Sequence, residues 1–436
     1  MLNRGQHEKN IPPIIPPLHR WVWLTARIGT ALLLVVLVYS CATVPGLREE
    51  ASSTYIRVPF VRVLLDEGQD SVTVAADHLY ALECLTGGNQ EVYYTSRPSK
   101  VINFRGHLDI IANDGRPLAR NLDEVNVIPR GNDNFVLLHG KRYRGLFKLL
   151  PSGVNVRIIN VVYMEDYLQG VVPPEIGRRT EDELEAVKAQ AIAARTYAIS
   201  HLQQYDAMPY DMKSSIIDQL YHGVQVENRV VNRAIAETAG LVAMYKDEFI
   251  QAYYHSTCGG MTDDIASVWD RLDVPYLKPV ADSGACSWSK YYTWTEHFSE
   301  AQLRGRLEQY LSADRGRDLR IGRIRNVTIK DRTPGGRVEQ MAVRTDSDVY
   351  TFHKDRIRWV VGRTSNPDLI LPSDRFDIEV ARSYDDFVEA VSFKGRGYGH
   401  GVGMCQCGAI GLARQGWNYD RILKHYYTGI ELRKMY

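Results

Sequence analysis

Three segments of the chain carry side chains able to do chemistry. In YLQGVVPPEI (167–176), Glu175 follows Pro173 and Pro174, two rigid residues that would hold its carboxylate at the mouth of a helix. An isolated glutamate of this kind is ordinarily solvated, so this segment alone assigns no role. In YYHSTCGG (253–260), a strand ends in His255, Ser256, Thr257 and Cys258 before a Gly-Gly turn; a tight loop around a structural cysteine accounts for it as well. In GRGYGHGVGMCQ (395–406), alternating glycines open the backbone to close approach by a ligand. There Tyr398, His400 and Gln406 offer stacking and hydrogen bonding, although Gln406 could equally cap a strand. No Gly-Lys-Ser/Thr follows, so this is not a phosphate loop. A thiol peptidase built on His400 and Cys405 is disfavoured by the neighbouring Cys407 and by an oxidising compartment.

The elements that position these segments follow from periodicity. Residues 61–65 and 71–75 alternate as strands, and 135–150 reads as a hairpin around Gly140-Lys141. Residues 181–204 form the clearest helix, with Thr180 and Glu183 as a capping box. A second helix over 228–239 is closed by Gly240, and LVAMY with FIQAYYH (249–255) reads as another hairpin. A third helix spans 299–311 behind Ser299 and Gln302; strands return over 324–380, with a turn at Pro334-Gly335-Gly336. A final helix lies around 419–427. Strands and helices fall in separate runs, which predicts an α+β fold. The expected divisions are an export signal or anchor (1–40), a linker (41–54), a β-rich part (55–162) and a helix-containing core (163–436) with a β-rich insertion near 299–390.

With 436 residues and 44% apolar content, the chain can bury a substantial core. Its 53 Lys and Arg against 52 Asp and Glu leave a net charge of +1, which argues against nucleic-acid binding. Six cysteines are too few for a disulfide scaffold. At the N-terminus a basic stretch precedes the apolar run IGTALLLVVLVY (28–39), too short to span a bilayer. Ser40-Cys41 resembles a bacterial lipobox, so Cys41 is expected to carry lipid on an exported, membrane-anchored envelope protein; an uncleaved anchor is the alternative.

YLQGVVPPEI, EAVKAQAIAARTY, DQLYHGVQVEN, AYYHSTCGGMT, GYGHGVGMCQCGA and ILKHYYTG, in this order, resemble the successive signatures of the SpoIID/LytB family. The resemblance covers roughly residues 55–436; Cys405-Gln406-Cys407 departs from the usual single cysteine or serine. It implies peptidoglycan as the partner: a lytic transglycosylase cutting peptide-stripped glycan between N-acetylmuramic acid and N-acetylglucosamine, leaving a 1,6-anhydro end. The family's catalytic glutamate falls on Glu175. One carboxylate suffices because the sugar's own 6-hydroxyl replaces water, whereas ordinary glycosidases need two. The role requires a carboxyl whose pKa burial has raised. The alternative implied is a glycan-binding enhancer of a cell-wall amidase, without catalysis of its own.

Other roles follow less directly. Arg195 either orients Glu175 or a sugar carboxylate, or forms a buried structural ion pair; His255, Ser256 and Thr257 are candidates for contacting glycan hydroxyls. For an exported chain a Cys258–Cys286 disulfide is the simpler expectation, with no cofactor required. A structural zinc held by His255, Cys258 and Cys286, with Cys405 or Cys407, is the alternative, and Cys84 reads as a small buried hydrophobe.

Overall fold

Alternating apolar residues between Phe60 and Tyr163 build two sheets whose inner faces share one core. A computed structural model describes residues 58–436, apart from 206, 216, 217 and 367. The expected export segment, linker and Cys41 lie outside the described residues. The seven-stranded sheet runs in the order 212–213, 60–69, 155–163, 146–152, 124–129, 80–86, 89–95. The six-stranded sheet runs 141–143, 136–138, 71–76, 99–104, 107–112, 117–122. Val63, Leu82, Val127 and Phe147 of the first pack in one cluster with Val74, Val101 and Ile110 of the second. Each such side chain, once buried, contributes about 1.5–3 kcal/mol. Cys84 sits in this core, as its sequence context implied. The expected hairpin turns at His139-Gly140, both with positive φ (49° and 75°), as a two-residue turn of the primed type requires. It is shorter than expected: its second arm is Lys141–Tyr143, and Leu146–Ser152 belongs to the other sheet.

Asn155–Tyr163 runs straight into a helix, α1 (Met164–Ile176), that includes the Pro-Pro pair. Here the structure corrects the expectation: Glu175 lies in the last turn of α1, not at the mouth of the helix that follows. Pro174 has no N–H for the carbonyl of Gly170, four residues back. That carbonyl instead accepts from the His222 N–H at 3.1 Å, which fastens the 219–222 segment along the end of α1. Gly170 makes the contact possible, because a Cβ there would lie 2.5 Å from the ring of Tyr221.

The capping box of Thr180 and Glu183 forms as expected and opens one turn of 3₁₀ helix before α2 (Leu184–Ser200). α2 ends at Ser200, four residues earlier than the sequence pattern suggested, and it runs through the interior, with Ala186, Ala189, Ala191, Ala193 and Ala194 wholly buried. Small side chains let α1, α3 (Arg229–Glu237, capped by Asn228) and the C-terminal helices crowd it. The hairpin after α3 forms, but its return strand is only Glu248–Phe249.

After α4 (Ile265–Val268), a second hydrophobic core begins at Phe298 and ends at Phe393. It joins α5 (Glu300–Arg315), which has the Ser299–Gln302 capping box, and α6 (Arg356–Val361) to two three-stranded sheets. The chain then returns to the first core through α7 (Gln406–Arg414) and α8 (Tyr419–Tyr426). α7 follows directly on the glycine-rich stretch, and Cys405 caps it by accepting from the Gly408 N–H. The fold is α+β, and among the described residues no helix is long and apolar enough to cross a membrane.

Two glycine substitutions test this packing. Gly170→Ala should destabilise by about 1–3 kcal/mol, because the ring of Tyr221 must move. Gly305→Ala, in α5 with open space around it, should stabilise by about 0.5–1 kcal/mol. Urea unfolding of the two variants checks both signs.

Candidate active site

The end of α1, the end of α2, the 218–220 segment, the 253–256 strand end and the glycine-rich loop converge on one cleft of about 820 Å³. Of the residues singled out in sequence, Glu175, His255, Ser256, Tyr398, His400 and Gln406 all line it. Arg195 and Thr257 do not. The guanidinium of Arg195 is fully buried and spent on Glu165, with Nε and Nη2 donating to its two carboxylate oxygens at 2.8 and 2.7 Å and Nη1 donating to the Leu241 carbonyl. Tyr436 and the Gly240 N–H complete the set of donors to Glu165. Of the two readings left open for Arg195, the structural ion pair is the one its position fits. Thr257 is wholly buried, with its hydroxyl 2.9 Å from that of Ser289.

Glu175 is half-buried and pairs with no cation among the described residues. Burial pushes its carboxyl above the ordinary range, while donors from the Leu220 N–H (3.3 Å) and the Gln406 side chain pull partly the other way. The supports of these donors are themselves fixed. Tyr167 donates to Gln219 Oε1 (3.0 Å), whose amide donates to the Tyr254 hydroxyl (2.9 Å), and Gln406 donates to the buried Gln190.

The two histidines have definite tautomers by their partners. His400 Nε2 donates to the Tyr254 carbonyl (3.0 Å) and its Nδ1 accepts from the Val402 N–H (3.1 Å). Burial pushes this imidazole down to about 4, so it is neutral at neutral pH. His255 Nδ1 donates to the Val402 carbonyl (3.2 Å), leaving Nε2 as an acceptor without a partner among the described residues. Burial likewise pushes His255 well below its usual range. One imidazole beside the cleft is therefore uncharged and keeps a buried lone pair without a partner among the described residues.

Sequence reasoning missed much of the wall. Trp269 stands between Tyr253 (centroids 5.2 Å apart) and His400 (4.8 Å), and Arg271 donates to the Tyr253 hydroxyl at 2.6 Å. Such aromatic faces fit sugar rings. Asp218 is a second carboxylate in the lining, already accepting from the Lys213 N–H, the Tyr205 hydroxyl and the Gln204 amide. Asp218 opens the DQLY run and Tyr253 and Tyr254 precede His255, so those motifs were the available signal; nothing in sequence marked Trp269.

The cysteines differ from expectation. Cys258 and Cys286 are free thiols, their sulfurs 3.5 Å apart, and no disulfide joins them. Cys405 and Asp282 share their pocket, whereas His255 faces the cleft instead.

The fold thus presents a cleft in which Glu175, partly buried and without a cation partner among the described residues, stands among aromatic side chains. The comparisons make this specific. Residues 152–245 match the family model described as stage II sporulation protein (SpoIID), and residues 284–403 match a domain of unknown function (DUF8618). A protein of Brachyspira hyodysenteriae, named only as uncharacterized, is 30% identical over 351 residues, spanning 79% of this chain and 88% of that one. The stage II sporulation protein D of Bacillus subtilis is 29% identical over 288 residues, 62% of this chain and 74% of that one. The amidase enhancer of the same organism is 29% identical over 331 residues, but the match spans only 45% of its length. The chain belongs to the SpoIID/LytB family.

The raised carboxyl of Glu175 has a consequence for stability. Its proton is held to higher pH in the folded than in the unfolded chain, so stability falls as pH rises through that window. Glu175→Gln should therefore be at least as stable as the parent at neutral pH, the gap closing as pH drops below ~4.3, the ordinary glutamate value. Urea unfolding at two pH values reads the difference.

Proposed function

We propose that this chain acts in the bacterial cell wall as a lytic transglycosylase, cutting peptidoglycan glycan strands with Glu175 as its single acid and base. The observation that carries the reading is Glu175 itself: a carboxyl partly withdrawn from water, paired with no cation among the described residues, on a cleft walled by aromatic rings. A carboxyl in that setting keeps its proton closer to neutral pH, as a general acid must.

In the proposed step Glu175 gives its proton to the glycosidic oxygen as the bond from C1 of the muramic residue to that oxygen breaks. The muramic 6-hydroxyl then attacks C1, forming the anhydro ring, and its proton returns to the carboxylate. Atoms and charge balance without water. The Leu220 N–H and Gln406 amide steady the carboxylate once it has given up its proton. Trp269 and Tyr253 offer faces for the sugar rings. Peptide-stripped strands are the fitting substrate. The basic N-terminal stretch and its apolar run suit delivery to that substrate outside the cytoplasm, with Cys41 as the lipid anchor.

A second reading is favoured by the amidase enhancer's similarity: the cleft binds glycan and speeds a separate amidase. A third is hydrolysis, with Asp218 as the additional carboxylate. Purified peptide-free glycan, analysed by mass spectrometry, separates all three. Anhydro-muramic ends, with a loss of at least ~10²-fold in Glu175→Gln and nearly unchanged glycan binding, are expected. Reducing ends would favour hydrolysis. Intact strands, with faster turnover by an added amidase, would establish the enhancer.

A further inference from the structure

Apart from the cleft, the most concentrated chemistry in the molecule is a knot of three thiols and one carboxylate. The ligand atoms of Cys258, Asp282, Cys286 and Cys405 all lie within 4.8 Å of one another, and all four residues are buried. We propose that these four residues hold a zinc ion, in a closed structural site of three sulfurs and one carboxylate oxygen.

The dimensions suit zinc. With bonds of ~2.3 Å, sulfurs at the corners of a tetrahedron stand about 3.8 Å apart. Cys258 and Cys286 are at 3.5 Å, and Asp282 Oδ2 is 3.1 Å from the Cys258 sulfur. A disulfide between any two cysteines would leave the third thiol and the carboxylate crowded together and dry. A divalent cation engages all four.

The surroundings point the same way. Backbone N–H groups donate to the sulfurs: Cys258 and Gly408 to Cys405 (3.1 and 3.2 Å), and Gly260 to Cys258 (3.3 Å). The Cys286 N–H donates to Asp282 Oδ2 at 3.0 Å. Such donors support and orient metal-bound ligands. Separately, the Tyr426 hydroxyl is wholly buried and has no partner among the described residues. It lies beside this pocket: a Cβ placed on Gly408 would touch Tyr426 Oη, Cys405 Sγ and Asp282 Oδ2 at 2.1, 3.2 and 3.3 Å. A phenol proton has a natural acceptor in a metal-bound thiolate.

All four positions are filled by protein, so the ion is structural and does not meet substrate. It joins the strand end that carries His255 and Ser256, the 282–286 loop, and the first turn of α7, where Gln406 follows Cys405. Binding replaces three thiol protons, which leave to solvent. The ion would also shield the thiols from oxidation.

The test uses the full chain, purified without chelator or reductant, and is independent of what the cleft cleaves. Elemental analysis should find one zinc per chain. Exchange for cobalt should give the intense sulfur-to-metal absorption of a tetrahedral thiolate site. Asp282→Asn keeps the shape and the acceptor for Cys286 N–H, so its fold should survive. Replacing the anionic ligand oxygen by a neutral amide should weaken zinc, in competition with a chromophoric chelator, by at least the ~10-fold typical of a supporting residue. A zinc-free chain that takes up no cobalt, or non-reducing peptide maps showing any two of the three cysteines linked, would overturn the assignment. So would an Asp282→Asn variant with unchanged zinc affinity.

Discussion

A carboxyl that is to deliver a proton at neutral pH must be lifted out of water without being matched by a cation, since a nearby positive charge would restore the ordinary ionised state. The architecture around Glu175 meets both conditions. Its position on the last turn of α1 depends on two prolines, and the carbonyl that Pro174 leaves unbonded is what draws His222 and its neighbours alongside. That same segment then supplies the Leu220 N–H to the carboxylate and the Gln219 amide that bridges Tyr167 and Tyr254. The helix-breaking residue thus creates the bonding vacancy through which the carboxyl acquires its surroundings.

Arg195 belongs to the same logic by being elsewhere. A buried guanidinium is costly to leave alone, and breaking a buried pair typically costs about 3–5 kcal/mol. Here it is matched to Glu165 in the first turn of α1, the opposite end of the helix from Glu175. One helix therefore carries a paired acid at its start and an unpaired acid at its end.

The sequence made legible whatever depends on local chemistry. Thr180 with Glu183 and Ser299 with Gln302 are caps in which each partner is three residues from the other, and both form. α1 and α7 were lost for one shared reason. Proline and glycine signal breaks when only neighbours are considered, but here distant residues compensate for them: His222 for Pro174, and the close approach of other elements for the glycines of α7. A Cβ on Gly411 would lie 2.0 Å from the Ala285 carbonyl, so that glycine serves packing and not a loop. The fourth member of the thiol cluster was missed similarly. Asp282 precedes Cys286 by four residues with no familiar ligand spacing, and only the fold brings Cys405 to them.

The two matched regions of the chain also have to be read together. Residues 152–245 supply Glu175, Tyr197 and Asp218, whereas Tyr398 and His400 come from the stretch that matches a domain of unknown function. The second core is held to the first by buried charge: Arg337 pairs with Asp374 at 2.8 Å and donates to the Cys258 carbonyl at 3.2 Å, while Asp263 accepts from Thr333 and the Gly335 N–H. Charges that far from water must stay matched, so the second core has little freedom to slide against the strand end bearing His255. The cleft is therefore completed by both regions.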